Sequence, residues 1–267
     1  MALQSKYFMV ERDGPVVIWK YNNPPKNLWS TEAAAEYNQL VEEMNANPTL
    51  RAGIFTSALS DVFIQHFDVS LLVMRGEMLK ANPNALPPSA PRPAYRPGSK
   101  VIIAAINARL AGGGLELAQG CDFRFMSRTA WAAQPEVVVG ILAGGGGTQR
   151  MPRLIGIDKA LEIQLTGRAI YADEAERIGL ITRACDPHRL IPEAISFAKR
   201  IAAQPPLAVA HIRKAMYEGV NMPLVDGLAL ESRLFSELVK SDDALRLMKE
   251  YVGGGQDAER LILDKDL

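Results

Sequence analysis

Cysteine is nearly absent from this chain. Cys121 and Cys185 are the only two among 267 residues. That is too few for a disulfide scaffold or a four-ligand zinc site, and they read as buried small hydrophobes in a reducing compartment. Histidine occurs three times, and no His/Cys/Asp/Glu set has a metal-binding spacing. Net charge is also lacking: 30 Lys+Arg balance 30 Asp+Glu. No overall field therefore draws the protein to nucleic acid or anionic lipid, and neither is an expected partner. No apolar run reaches the ~18 residues that a membrane-spanning helix needs. The N-terminal "MALQSKYFMVERDG" lacks both an apolar secretory core and an Arg/Ser-rich targeting pattern. Together these absences predict a globular cytoplasmic protein, and a hydrophobic content of 48% supplies its core.

What is present reads first as strands. Asp13-Gly14 marks a hairpin turn between two β-rich runs, and "LRAGIFTS", "KVIIAAIN" and "DFRFMS" are short apolar strands. Between the hairpin and the first of these, "STEAAAEYNQLVEEMNAN" opens with a cap at Ser30 or Thr31 and acidic residues in its first turn, which predicts a helix. "AQPEVVVGILAGGGGTQRMPRLIG" reads as a further strand and a second glycine-rich turn. Strands alternating with turns and short helices predict an α/β core. From about Asp158 the pattern becomes helical, with Gly167 and Gly179 placed as C-caps and two longer amphipathic helices before a final pair. The expected division is a core over residues 1–198 and a helical region over 199–267. Pro83, Pro87, Pro88, Pro91, Pro93 and Pro97 fall within fifteen positions. They exclude a regular helix there and read as the wall or lid of a site.

Chemistry concentrates in "ARLAGGGLELAQGCDF", residues 108–123. Three glycines before a helix leave backbone N–H groups unpaired at the positive end of the helix dipole. Such a turn suits a phosphate, a carboxylate, or an oxygen that turns negative during reaction; it equally suits a tight strand-to-helix corner. The second run, "GILAGGGGTQR", lacks the Lys-Ser/Thr pair of a phosphate loop and the spacing of a dinucleotide site. Glu116 follows the first turn and Glu136 opens an apolar run. Each alone reads as a structural glutamate. Facing one pocket, one would stay protonated while the other ionised, which is what acid and base work on a single substrate requires. Trp19, Trp29 and Trp131 read as core, and His188 and His211 as packed or solvated.

The ordered set "NPPKN", "LRAGIFTSALSDVFIQHFDVSLL", "AGGGLELAQGCDF…AAQPEVVVGILAGGGGTQR", "LTGRAIYADEAERIGLI" and "SDDALRLMKEYV" resembles the crotonase (enoyl-CoA hydratase/isomerase) superfamily across nearly the whole chain. The resemblance implies a spiral of β-β-α turns with a helical C-terminal region that assembles the oligomer and covers the active site. It implies an acyl-CoA thioester as substrate, coenzyme A being part of that substrate and no separate cofactor or metal being used. It implies a homo-oligomer, a trimer or dimer of trimers. Carried over by position, the backbone N–H groups of Phe67 and Gly113 would form the oxyanion hole. Glu116 and Glu136 would be the catalytic pair, Gly144 would help place the attacking water, and Lys26, Asn27, His66, Asp68 and Gly112 would line the substrate. The implied reaction is hydration of an α,β-unsaturated thioester; the alternatives are an enoyl-CoA isomerase or acyl-CoA hydrolase of the same superfamily, or a non-catalytic acyl-CoA-binding protein.

The chain departs from the family pattern at named positions. His66-Phe67-Asp68 replaces a glycine and a small residue before the aspartate, so Phe67 keeps its N–H while its side chain shapes the pocket. Asp68 reads as structural, bonding local backbone N–H groups. Ser70 stands where a lysine is frequent, and the basic cluster that meets CoA phosphates is missing near the C-terminus. Lys26, Lys100 and Arg92 are the candidates to replace it. The proline loop takes the place of an amphipathic helix.

Overall fold

The structure is a computed structural model, and it describes residues 5–82, 84 and 98–256. The proline-rich segment and Arg92 lie outside the described residues. The chain divides into two compact units, Met1–Ala202 and Ala203–Leu267.

In the first unit, β1 (Phe8–Asp13) and β2 (Val16–Tyr21) form the hairpin, with Gly14 at φ +59° in the turn. The helix α1 (Thr31–Ala46) begins where Ser30 caps it, the hydroxyl accepting from Ala33 N–H at 3.1 Å. From there a three-step unit repeats. Strand β3 (Ala52–Ser57) is followed by β4 (Val62–Ile64) and helix α2 (Val69–Ala81). Strand β5 (Val101–Ile106) is followed by β6 (Arg109–Ala111) and helix α3 (Gly113–Gln119). Strand β7 (Phe123–Ser127) is followed by β8 (Trp131–Ala133), one 3-10 turn (Glu136–Val139) and helix α4 (Gly147–Ile155). Each step puts its first strand into one sheet and its second into another. The six-stranded sheet runs β1-β2-β3-β5-β7-β10 and the four-stranded sheet β4-β6-β8-β9. Among the described strands, all neighbours are parallel except β1/β2 and β8/β9. This is the spiral of β-β-α turns.

Strands β3 and β5 of the larger sheet are buried along their whole length, without alternation, because both faces are covered. Trp19, Tyr21 and Phe55 point to the α1 face, where their rings meet Tyr37 or Trp29 at centroid distances of 5.0–6.1 Å. On the other side lies α7 (Leu190–Ala202), whose Phe197 packs on Phe123 and Phe125. Cys121 and Cys185 are buried and form no disulfide, and burial pushes the Cys185 thiol up to about 12. Trp19 and Trp29 are in the core, while Trp131 is only half-buried.

Three local expectations are corrected. The run "EVVV" is a 3-10 turn rather than a strand, because Pro135 precedes it and its valines are exposed on no neighbouring strand. The stretch after α5 (Ile157–Thr166), read as purely helical, contains β9 (Ala169–Tyr171) on one side of α6 (Ala172–Arg177) and β10 (Arg183–Cys185) on the other. Each strand has three residues, too few to show alternation, and β10 closes the larger sheet against β7. Gly167 and Gly179 do sit at helix ends with φ +63° and +80°.

The second unit consists of α8 (Pro206–Gly219), α9 (Leu224–Val239) and α10 (Asp242–Gly253) among its described residues. His211 Nε2 lies 2.9 Å from Glu237 Oε2, tying α8 to α9. His188 is exposed. No described helix is long and apolar enough to cross a membrane.

Candidate active site

Because β4, β6 and β8 are parallel neighbours, the segments that leave them emerge at one end of the smaller sheet. Ligands of parallel sheets bind at this carboxyl end, outside the strands. After β4 come His66, Phe67 and Asp68; after β6 come Gly112 and Gly113; after β8 come Gln134 and Glu136.

Phe67 is held from both sides by one bridge. Trp29 N–H donates to His66 O at 2.8 Å and Asp68 N–H donates to Trp29 O at 2.8 Å. Trp29 is itself locked by its ring in the aromatic core, so the core orients this loop. The Phe67 N–H lies between those two bonds and has no hydrogen-bond partner among the described residues. Asp68 caps α2, accepting from Ser70 N–H at 3.0 Å and from the Ser70 hydroxyl at 2.7 Å, as expected of a structural aspartate.

The three glycines answer close approach. Gly112 adopts φ +50°, ψ −123°, and a Cβ there would stand 3.1 Å from Glu136 Oε1. A Cβ on Gly113 would lie 3.0 Å from Phe67 Cβ and 3.2 Å from Phe67 N. The two backbones are therefore side by side. Gly113 opens α3, and its N–H has no intrahelical partner.

Glu116 is 6% exposed, deep for a carboxylate. Its Oε1 accepts from Gly147 N–H at 2.8 Å, at the first turn of α4. Its Oε2 presses on the Gly145 backbone, where a Cβ would come within 2.4 Å. Gly144 lies exposed in the same turn, one residue before Gly145. Glu136 is half-buried; its Oε1 accepts from Gln134 Nε2 at 2.8 Å while Oε2 is buried without a partner among the described residues. Burial away from water raises the Glu136 carboxyl above its ordinary value. Gln134 Oε1 is buried without a partner among the described residues and stands 3.2 Å from the point where a Gly147 Cβ would be.

Sequence reasoning missed Gln134, Gly145, Gly147 and the Trp29 backbone. A glutamine two residues before Glu136 and inside an apolar strand end was the available signal for Gln134. His66 stands beside Gly112, its Cβ 3.6 Å from the same missing Cβ, and its Nδ1 is 2.7 Å from Phe67 O.

Two expected ligand contacts are corrected. Asn27 turns inward: its Oδ1 accepts from Asn23 N–H at 2.6 Å, and its Nδ2 donates to Ser57 Oγ at 2.8 Å and Phe63 O at 3.1 Å. It is a fully buried bracket at φ +48°, with no side-chain atom left for a substrate. Lys100 Nζ donates to Met44 O at 2.5 Å and Asn47 O at 2.6 Å, closing the C-terminal end of α1. Lys26 is exposed on its loop. Among the described residues, no group of three or more His, Cys, Asp or Glu is placed to hold a metal ion.

Comparison with known proteins agrees with this geometry. The enoyl-CoA hydratase/isomerase family model matches residues 11–257. A crotonyl-CoA hydratase of Syntrophomonas wolfei is 34% identical over 234 residues, covering 87% of this chain and 90% of that protein. A short-chain-enoyl-CoA hydratase of Clostridium acetobutylicum is 31% identical over 245 residues, covering 91% and 94%. The crystal structure of an enoyl-CoA hydratase from Bacillus anthracis superposes with a TM-score of 0.81 at 27% identity, covering 93% of this chain and 97% of that one. The chain belongs to the enoyl-CoA hydratase/isomerase family.

Proposed function

We propose that this protein hydrates trans-2-enoyl-CoA thioesters, with short acyl chains as the first substrates to test. The observation that carries the proposal is the adjacency of two unpaired backbone donors, Phe67 N–H and Gly113 N–H, with Glu136 Oε1 standing against the neighbouring Gly112. In the proposed reaction, the thioester oxygen sits between the two donors. Glu116 takes a proton from water as its oxygen adds to the β-carbon, and Gly144 helps to place that water. Electrons move to the thioester oxygen, giving an enolate that the two N–H groups stabilise. Glu136 then delivers its proton to the α-carbon, leaving a 3-hydroxyacyl thioester.

The assignment of roles follows the environments. The Glu116 carboxyl accepts a backbone N–H at a helix start, which fixes one oxygen in place beside the glycine turn. Glu136 keeps one oxygen dry and unpartnered, and its raised proton affinity suits an acid. Backbone donors and two carboxyls supply every step, so the proposal includes no cofactor beyond the coenzyme A of the substrate. Two similar proteins that carry short-chain-enoyl-CoA and crotonyl-CoA hydratase names support the choice of short chains. Assembly as a trimer or dimer of trimers belongs to the same proposal, and sedimentation velocity tests it. Exposed Leu224, Val225, Leu228 and Phe235 on α9 support an assembled state.

The test is a panel of trans-2-enoyl-CoA esters of varied length, followed by loss of the conjugated thioester absorbance. A 3-hydroxyacyl product is expected. Glu136→Gln should lower turnover by orders of magnitude while acyl-CoA binding stays measurable. Near-normal hydration by that variant would remove Glu136 from the mechanism.

A further inference from the structure

His66 fills the place where the family carries a glycine, and it brings a titratable ring to the donor loop. Its Nδ1 lies 2.7 Å from the Phe67 carbonyl oxygen. A carbonyl only accepts, so Nδ1 carries the hydrogen, and in the neutral ring Nε2 is the bare nitrogen. The same residue stands over Gly112. Its Cβ is 3.6 Å, and Glu136 Oε1 is 3.1 Å, from the point a Gly112 side chain would occupy. The base of the His66 side chain and the Glu136 carboxyl thus flank the point where that side chain is missing.

The charged groups around Glu136 come from three elements. His66 stands on the loop after β4, its Cβ beside Gly112, and Glu116 stands on α3. Arg150 of α4 is on the Glu116 side, its Nη1 donating to Gly145 O at 2.9 Å. Among the described residues no lysine or arginine pairs with Glu136, so His66 is the cation that bears on it. A positive His66 favours the ionised carboxylate, against the effect of burial.

We propose that His66 is a positioning residue that joins the two halves of the site. Its Nδ1–H holds the Phe67–Asp68 peptide beside the donor, and its ring charge sets how firmly Glu136 keeps its proton. The kinetic consequence rests on the hydratase reading; the coupling between ring and carboxyl does not.

His66→Asn keeps an N–H near the Nδ1 position but cannot titrate, and His66→Ala removes both functions. His66→Ala should lower kcat about tenfold, the effect of one lost hydrogen bond, with KM moving less than about threefold. His66→Asn should recover most of that kcat. In both variants the limb of the pH profile on which Glu136 loses its proton should move to higher pH, because no cation then favours its ionised form. Unchanged kcat in His66→Ala overturns the positioning role, and an unmoved limb in both variants overturns the charge role.

A second readout needs no activity. Imidazole proton–nitrogen NMR of the full chain gives the His66 titration midpoint, with the signal assigned by its absence in His66→Asn. The midpoint is compared between wild type and Glu136→Gln, since any coupling is reciprocal. An unchanged midpoint overturns the coupling. If the wild-type chain hydrates no member of the panel, the hydratase reading falls, while this titration still decides the coupling.

Discussion

Gly113→Ala puts one methyl where two backbones meet. The new Cβ would stand 3.0 Å from Phe67 Cβ and 3.2 Å from Phe67 N. Contacts that tight make the neighbour give by a few tenths of an ångström, and here the neighbour is the backbone that carries the second donor. Either α3 retreats or the methyl covers the Phe67 N–H; in both cases the thioester oxygen loses a well-aimed donor. Removing one such donor typically costs ~10²–10³ in kcat, about 3–4 kcal/mol at the transition state. Stability should change far less. Gly113 is not in the left-handed region, and alanine is favoured over glycine in a helix by up to about 1 kcal/mol. The assay is the rate of loss of the conjugated thioester absorbance, alongside thermal melting by circular dichroism. Gly76→Ala on α2, where a Cβ meets nothing within 4 Å, is the control and should be silent. A folded Gly113→Ala protein that hydrates within about threefold of wild type would refute the donor pair.

Other outcomes follow from the same geometry. Gly145→Ala would set a Cβ 2.4 Å from Glu116 Oε2, displacing the base; kcat should fall at least tenfold while melting changes little. Burial raises the Glu136 proton affinity in the fold, so its stabilising contribution is present below the unfolded carboxyl value and lost as pH rises through the folded one. Glu136→Gln should therefore melt higher than wild type at pH 8, with the gap closing by pH 4. Asn27→Ala orphans buried Ser57 and Phe63 partners and should cost on the order of 3 kcal/mol in denaturant unfolding. Lys100→Met should lower stability by about 1 kcal/mol through the α1 terminus and leave KM for acyl-CoA unchanged. A raised KM there would return Lys100 to the ligand.

The architecture was legible where local chemistry and global packing agree. Ser30 caps α1 and Gly14 turns the hairpin because nothing distant competes with those choices. The apolar runs of β3, β5 and β7 announce burial on both faces. "EVVV" misled because β-branched residues ordinarily report a strand, while here Pro135 and solvent around the valines select a 3-10 turn. Strands β9 and β10 were hidden because three residues carry no period. At the site, resemblance picked out Phe67, Gly113, Glu116 and Glu136, and the structure brings their segments to one end of three parallel strands. It could not reveal that Asn27 and Lys100 are consumed by internal bonds. It also could not reveal that Gly147 N–H holds Glu116, because that partnership joins residues 31 positions apart in the chain.

The most direct test of hydration is isotopic. Purified protein is incubated with trans-2-butenoyl-CoA in water enriched in oxygen-18, and the products are analysed by mass spectrometry. Hydration predicts a 3-hydroxybutanoyl-CoA carrying one heavy oxygen on the β-carbon, formed by wild type and nearly abolished in Glu116→Gln and Glu136→Gln. Free CoA with labelled carboxylate, a shifted double bond without label, or unchanged substrate would contradict it.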